Sequence, residues 1–124
     1  MKIYISGKIS GRSIEEAKKH FEDGEKSVSE MPTVLSKPVP INPFKLDHAK
    51  AYALEAIFEK EKDFPEDSKT VTIQDIWNAY MDVDLGAVLR CDGIYMLKGW
   101  GESKGARIEY SVAKEMGLTI MYQN

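Results

Sequence analysis

The sequence predicts an α/β fold, a parallel sheet with helices on both faces. Short β-rich runs alternate with amphipathic helical segments in the order β-α-β-(α)-α-β-α-β. Capping residues, glycine and proline punctuate the ends of those segments. At 124 residues the chain suits one domain, residues 1–124, with a sizeable core.

Each element has its own signal. "KIYIS" (residues 2–6) is a β-rich run stopped by Gly7, and "GKISGR" (7–12) is a glycine-bearing loop. "SIEE" reads as a capping box, with Ser13 as N-cap and Glu16 reaching back. The helix that follows places Ile14, Ala17, Phe21, Gly24 and Val28 on one face and ends before Pro32. "PVPINP" (38–43) gives a short strand around Val39–Ile41. Residues 47–62 read as a helix with Ala51, Leu54, Ile57 and Phe58 apolar, followed by the polar break "DFPEDSK". Residues 45–70 therefore read as a helical insertion on the basic unit. Thr72 and Asp75 open a second capping-box-like start, and that helix runs to about Arg90. "DGIYML" (92–97) is a strand, residues 103–117 a helix closed by Gly117, and "LTIMY" (118–122) the last strand. The layout is flavodoxin-like, or more broadly Rossmann-like.

Composition narrows the function classes. Apolar content of 43% and charged content of 30% are those of an ordinary globular protein. A net charge of −3 provides no general attraction to polymeric nucleic acid or to an anionic membrane. No apolar run approaches the roughly 20 residues of a spanning helix. The lone cysteine, Cys91, excludes an internal disulfide, fits a cytoplasmic location and reads as a small buried residue. No Cys/His cluster has metal-ligand spacing, and no cofactor is implied.

The stretch "GWGESKGARIEYSVAKEMG" (99–117) contains an anomaly. Counted at 100° per residue, Ala106, Val112, Ala113 and Met116 share a face, with Gly105 between them. Lys104, Arg107, Lys114 and Glu115 fall opposite, yet Glu109 lands in the apolar face. The same count over 73–89 groups Ile73, Ile76, Trp77, Tyr80, Met81 and Val88, with Asp84 near the centre and Asp82 opposite. An unpaired buried carboxylate is costly, so each points to a partner or a task. In open α/β sheets ligands bind beyond the carboxyl ends of the strands. Gly7, Pro43 and Lys98 follow the first three strands, so their loops converge there, beside Ser103 and the first amides of its helix. That is a ready anion site, and phosphate is the natural guest. Paired carboxylates with separated pKa values perform glycosidic chemistry.

These residues also carry a family resemblance. "IYISGKISGR", "DLGAVLRCDGIYML" and "SKGARIEYSVAKEMGLTI" resemble the nucleoside 2-deoxyribosyltransferase superfamily. They are especially similar to its deoxynucleoside 5′-monophosphate N-glycosidases and to an uncharacterised bacterial and phage branch. The resemblance implies Glu109 as the nucleophile, Asp84 as the group handling leaving base and sugar, and Tyr4 as the residue orienting the nucleophile. It implies Ser103 as the 5′-phosphate ligand, Gly7 and Gly11 as glycines of the first loop, and a homo-oligomer, a dimer or larger. Lys8, Arg12 and the amides after Ser103, Gly105 among them, would complete the phosphate site, and Trp100 would be a lid or a subunit contact. Two departures stand out: Ser10 where the glycosidases have arginine, with Arg12 displaced by two, and a longer third loop containing Trp100. Residues 45–70 lie outside the resemblance.

The implied substrate is a small nucleoside or nucleotide. The implied reaction is cleavage of its N-glycosidic bond, or deoxyribosyl transfer between bases. A non-catalytic nucleotide-binding protein of the same fold is the alternative, and glycosidic chemistry on a ribose substrate is another. Trp77 and Tyr80 are expected in the core, His20 and His48 in surface or capping roles, and Asp92 in a turn.

Overall fold

The computed structural model describes residues 1–32 and 36–124. Among these, four strands form one sheet: β1 (Lys2–Ser6), β2 (Val39–Ile41), β3 (Gly93–Met96) and β4 (Thr119–Tyr122). Their order is β2-β1-β3-β4. Every pairing is parallel, with Tyr4 opposite Ile41 on one side and Ile94 on the other, and Met96 opposite Tyr122. Four helices pack around the sheet: α1 (Ile14–Ser29), α2 (Ala49–Lys60), α3 (Ile73–Leu89) and α4 (Lys104–Glu115). This is the expected flavodoxin-like arrangement.

The period of two along a strand sorts side chains between the two faces. Ile3 and Ile5 of β1, with Tyr95 and Leu97 of the third strand region, pack against Phe21 and Val28 of α1. Tyr4, Ile94 and Met96 point the other way, onto Ala87 and Val88 of α3 and Ala106 and Ala113 of α4. Gly24 sits within α1 because the helix lies close to the sheet there. A Cβ at Gly24 would come within 2.8 Å of Leu97 Cδ2 and 3.2 Å of Ile5 Cγ2.

The ends of the helices follow their caps. Thr72 Oγ1 accepts from Asp75 N at 3.1 Å while Asp75 Oδ2 accepts from Thr72 N at 2.8 Å, a complete capping box. At α1 only half of the expected box forms: Ser13 Oγ accepts from Glu16 N at 3.1 Å. Among the described residues the Glu16 carboxylate makes no return bond, and it stays in solvent. α4 closes in a Schellman motif, with Gly117 at φ 71°, Gly117 N donating to Lys114 O at 3.1 Å and Leu118 N to Ala113 O at 3.0 Å. Asp92 does act at a turn: its Oδ2 accepts from Lys2 N at 2.8 Å, pinning β1 beside the start of β3.

Some expected core residues lie outside the core. Ile73 is 71% exposed, since the first three residues of α3 are open to solvent. Ile14 and Met116, at the ends of their helices, are also exposed, and Val112 is only half-buried. Cys91 is buried and free. Among the described residues no helix is long and apolar enough to cross a membrane.

Candidate functional site

β1 and β3 are neighbours, and the chain leaves them in opposite directions to reach β2 and β4. Their carboxyl ends therefore flank a topological switch point, where α/β sheets form their ligand crevice. A cavity of about 570 Å³ opens there, lined by Gly7, Pro43 and Ser103 from the loops after the first three strands. That size is within the usual range of small-molecule sites.

Glu109 stands in the wall of this cavity, 6% exposed. α4 brings it there because Ala106 and Ala113, one turn to either side, pack on the sheet and carry its face inward. The strand period then supplies its partners. Tyr4 and Ser6 are two residues apart on β1 and share a face. Tyr4 Oη donates to Glu109 Oε2 at 2.8 Å, and Ser6 Oγ donates to Glu109 Oε1 at 2.7 Å. Both oxygens are thus held by hydroxyl donors, which orients the carboxylate. Burial pushes the Glu109 carboxyl up to about 7; the bonds from Ser6 and Tyr4 oppose that rise, and the Asp84 charge adds to it. The Tyr4 phenol is raised well above its ordinary range, first by burial and then by the Glu109 and Asp84 charges, so it remains a proton donor in its bond to Glu109.

Asp84 faces the same cavity from α3. Its Oδ1 lies 2.8 Å from Nε2 of His48, which is 5% exposed. Burial raises the Asp84 carboxyl, and the bond and charge of His48 pull it back. His48 thus departs from the expected surface or capping role. It stands just before α2, and its side chain caps nothing. Residues 45–70 do contain the expected helix, but the segment is more than an excursion: His48 and Tyr52 both line the cavity. Its exposed large apolar residues are Tyr52, Ile57 and Phe64.

The structure brings several of the predicted residues together and leaves others apart. Tyr4, Gly7, Asp84, Ser103, Gly105 and Glu109 all line the cavity. Ser103 Oγ accepts from Ala106 N at 3.2 Å as the N-cap of α4, so its hydroxyl proton can still be offered to a ligand. Gly7 also meets a packing demand, since a Cβ there would lie 2.9 Å from Leu97 Cδ1. Lys8, Gly11, Arg12 and Trp100 lie outside the cavity lining. Lys8 Nζ is bound to Glu102 Oε2 at 2.9 Å, and Arg12 sits beside Gly99 in the same turn. Lys8 therefore answers Glu102 rather than the crevice. Gly11 serves a turn, at φ 81°. The Trp100 ring stacks on Tyr110 with centroids 4.7 Å apart.

Other residues of the site were not foreseen. Ser6, which holds Glu109 from outside the lining, was legible only as the next same-face position after Tyr4. Trp77 and Tyr80, expected in the core, are half-buried on the cavity wall. Lys18 and Lys104 supply the cations that Lys8 and Arg12 do not, with Lys104 Nζ 4.7 Å from the centre of the Trp77 ring. His20 is half-buried, its Nε2 3.0 Å from Gln123 Oε1.

A family model described as "Domain of unknown function (DUF4406)" matches residues 65–122. The matched stretch contains Asp84, Ser103 and Glu109 but neither β1 nor α2. No curated protein and no solved structure matches the chain.

Proposed function

We propose that the protein cleaves the N-glycosidic bond of a 2′-deoxynucleoside 5′-monophosphate through a glycosyl ester on Glu109, with deoxyribosyl transfer between bases as the variant outcome. One observation carries the reading: a carboxylate almost wholly removed from water, with each oxygen held by a hydroxyl, facing a cavity of ligand size that a second carboxylate shares. The resemblance of these residues to the deoxyribosyltransferase superfamily supports the same assignment.

In the first step a Glu109 oxygen attacks C1′ and forms the ester bond. The C1′–N bond breaks, and its electron pair leaves with the base. Asp84 passes a proton from solvent to the departing nitrogen. In the second step water attacks C1′, the ester bond breaks, and the water's proton leaves to solvent through Asp84. The sum is nucleotide plus water to free base plus 2-deoxyribose 5-phosphate. If a second base replaces water, the sum is base exchange. Tyr4 and Ser6 orient Glu109 by donating to it, and His48 orients Asp84. Ser103, the first amides of α4 and Lys104 form the phosphate end. The superfamily resemblance also makes a homo-oligomer the expected state, which light scattering tests.

The test is base release from deoxy- and ribonucleosides and their 5′-monophosphates, followed by HPLC, with and without an added free base. Release from deoxynucleoside monophosphates, lost in Glu109→Gln, is the expected result. Nucleotides that bind and are never cleaved would leave a binding protein in place of an enzyme.

A further inference from the structure

The wall made by α2 and α3 holds more than the chemistry requires. His48 and Tyr52 are four residues apart at the start of α2, and Trp77, Tyr80 and Asp84 follow helical spacing along α3, so the two stripes line the cavity from one side. Three of these side chains form a ring cluster. His48 and Tyr80 centroids are 5.1 Å apart, Tyr52 and Tyr80 6.1 Å, and His48 and Tyr52 6.2 Å. Tyr52 is inclined at 61° to His48 and 73° to Tyr80, so neither ring stacks flat on it. It is 54% exposed while lining the cavity, an open aromatic face beside the two carboxylates.

The polar atoms of the two rings behind Tyr52 are turned to partners within the protein. His48 Nε2 is bonded to Asp84, and the Tyr80 hydroxyl donates to Glu55 in a short hydrogen bond. What Tyr52 offers a ligand above all is ring surface. Edge-reading sites discriminate strongly because a wrong partner leaves buried polar groups unpaired. Stacking surfaces discriminate weakly because every base has a π-face.

We propose that Tyr52, backed by Tyr80 and His48, is a face-reading platform for a planar heteroaromatic base, and that the site consequently accepts purines and pyrimidines alike. The inference rests on the nucleotide reading above. It assigns the role of specificity wall to residues 45–70, which neither the superfamily resemblance nor, through residue 64, the family match covers.

The experiment is calorimetric titration of the Glu109→Gln protein with dAMP, dGMP, dCMP, TMP and 2-deoxyribose 5-phosphate. It is repeated with Tyr52→Ala and Tyr52→Phe added and with melting curves to confirm folding. The four nucleotides are expected to bind within about tenfold of one another. Tyr52→Ala should weaken each by about 5- to 50-fold, in line with stacking on one side chain. Tyr52→Phe should retain affinity, and 2-deoxyribose 5-phosphate should not respond to either change. One nucleotide bound more than about 100-fold tighter than the rest overturns the proposal, as do affinities indifferent to Tyr52→Ala or no nucleotide binding at all. Base release by the wild-type protein separates the two readings. Cleavage with Tyr52-independent binding removes the platform and leaves the chemistry. Tyr52-dependent binding without cleavage removes the chemistry and leaves the platform.

Discussion

Removing the charge of Glu109 should stabilise the protein, and only where that charge exists. The carboxyl is raised from 4.5 to about 7 chiefly by burial. A group whose folded pKa lies above its unfolded one contributes its stability fully at low pH and loses it as pH rises through the folded value. At about 1.4 kcal/mol per pH unit, the ionised Glu109 costs the fold about 3 kcal/mol above pH 7. Glu109→Gln keeps the shape and stays neutral, and Tyr4 and Ser6 can turn their hydroxyls to serve the amide. The difference in unfolding free energy between variant and wild type should therefore be small near pH 4.5. It should grow through pH 5–7 and level off above 8 near 3 kcal/mol, on the order of 10 °C in Tm. Urea unfolding across that pH series measures it directly, and contributions from the other groups largely cancel in the difference. A difference that is flat with pH, or a variant less stable than wild type at pH 8, refutes the reasoning. Either result would mean that water or a counter-charge reaches Glu109.

Further predictions come from the same contacts. Base release should rise with pH through about 7 as Glu109 ionises to attack; a rate constant across pH 5.5–8 contradicts that role. Tyr4→Phe removes the donor to Oε2, so the acid limb of the rate profile should move to higher pH and the rate should fall by about 10- to 100-fold at pH 7. His48→Phe leaves Asp84 without its donor; its carboxyl should rise further, and infrared titration of the Asp84 carboxyl reads the change. Gly24→Ala pushes a methyl against Leu97 and Ile5 and should cost about 1–3 kcal/mol in urea unfolding with no change in ligand affinity.

The layout of the sheet and the caps at Ser13, Thr72 and Gly117 could be read from the chain because local signals set them: strand period, capping residues, and a glycine with positive φ. Glu109 and Asp84 were legible as carboxylates on apolar faces for a similar reason, since helical period depends only on neighbours along the helix. The misses were tertiary. Periodicity says which residues share a face of α3, but not that its first three residues are open to solvent, so Ile73 was placed inside. His48 and Asp84 are 36 positions apart, and no local pattern announces that pair. Lys8 sat at the right place in the first loop to meet a phosphate, but Glu102, across the fold, claimed it. Ser6 could have been found from Tyr4 by the strand period.

Acid-quenched mass spectrometry of the intact protein, mixed with its deoxynucleotide and mapped by peptide, tests the proposed chemistry most directly. The account predicts a 2-deoxyribosyl 5-phosphate adduct on the peptide containing Glu109, absent in Glu109→Gln. Base release without an adduct at any quench time, or Glu109→Gln releasing base at the wild-type rate, would contradict it.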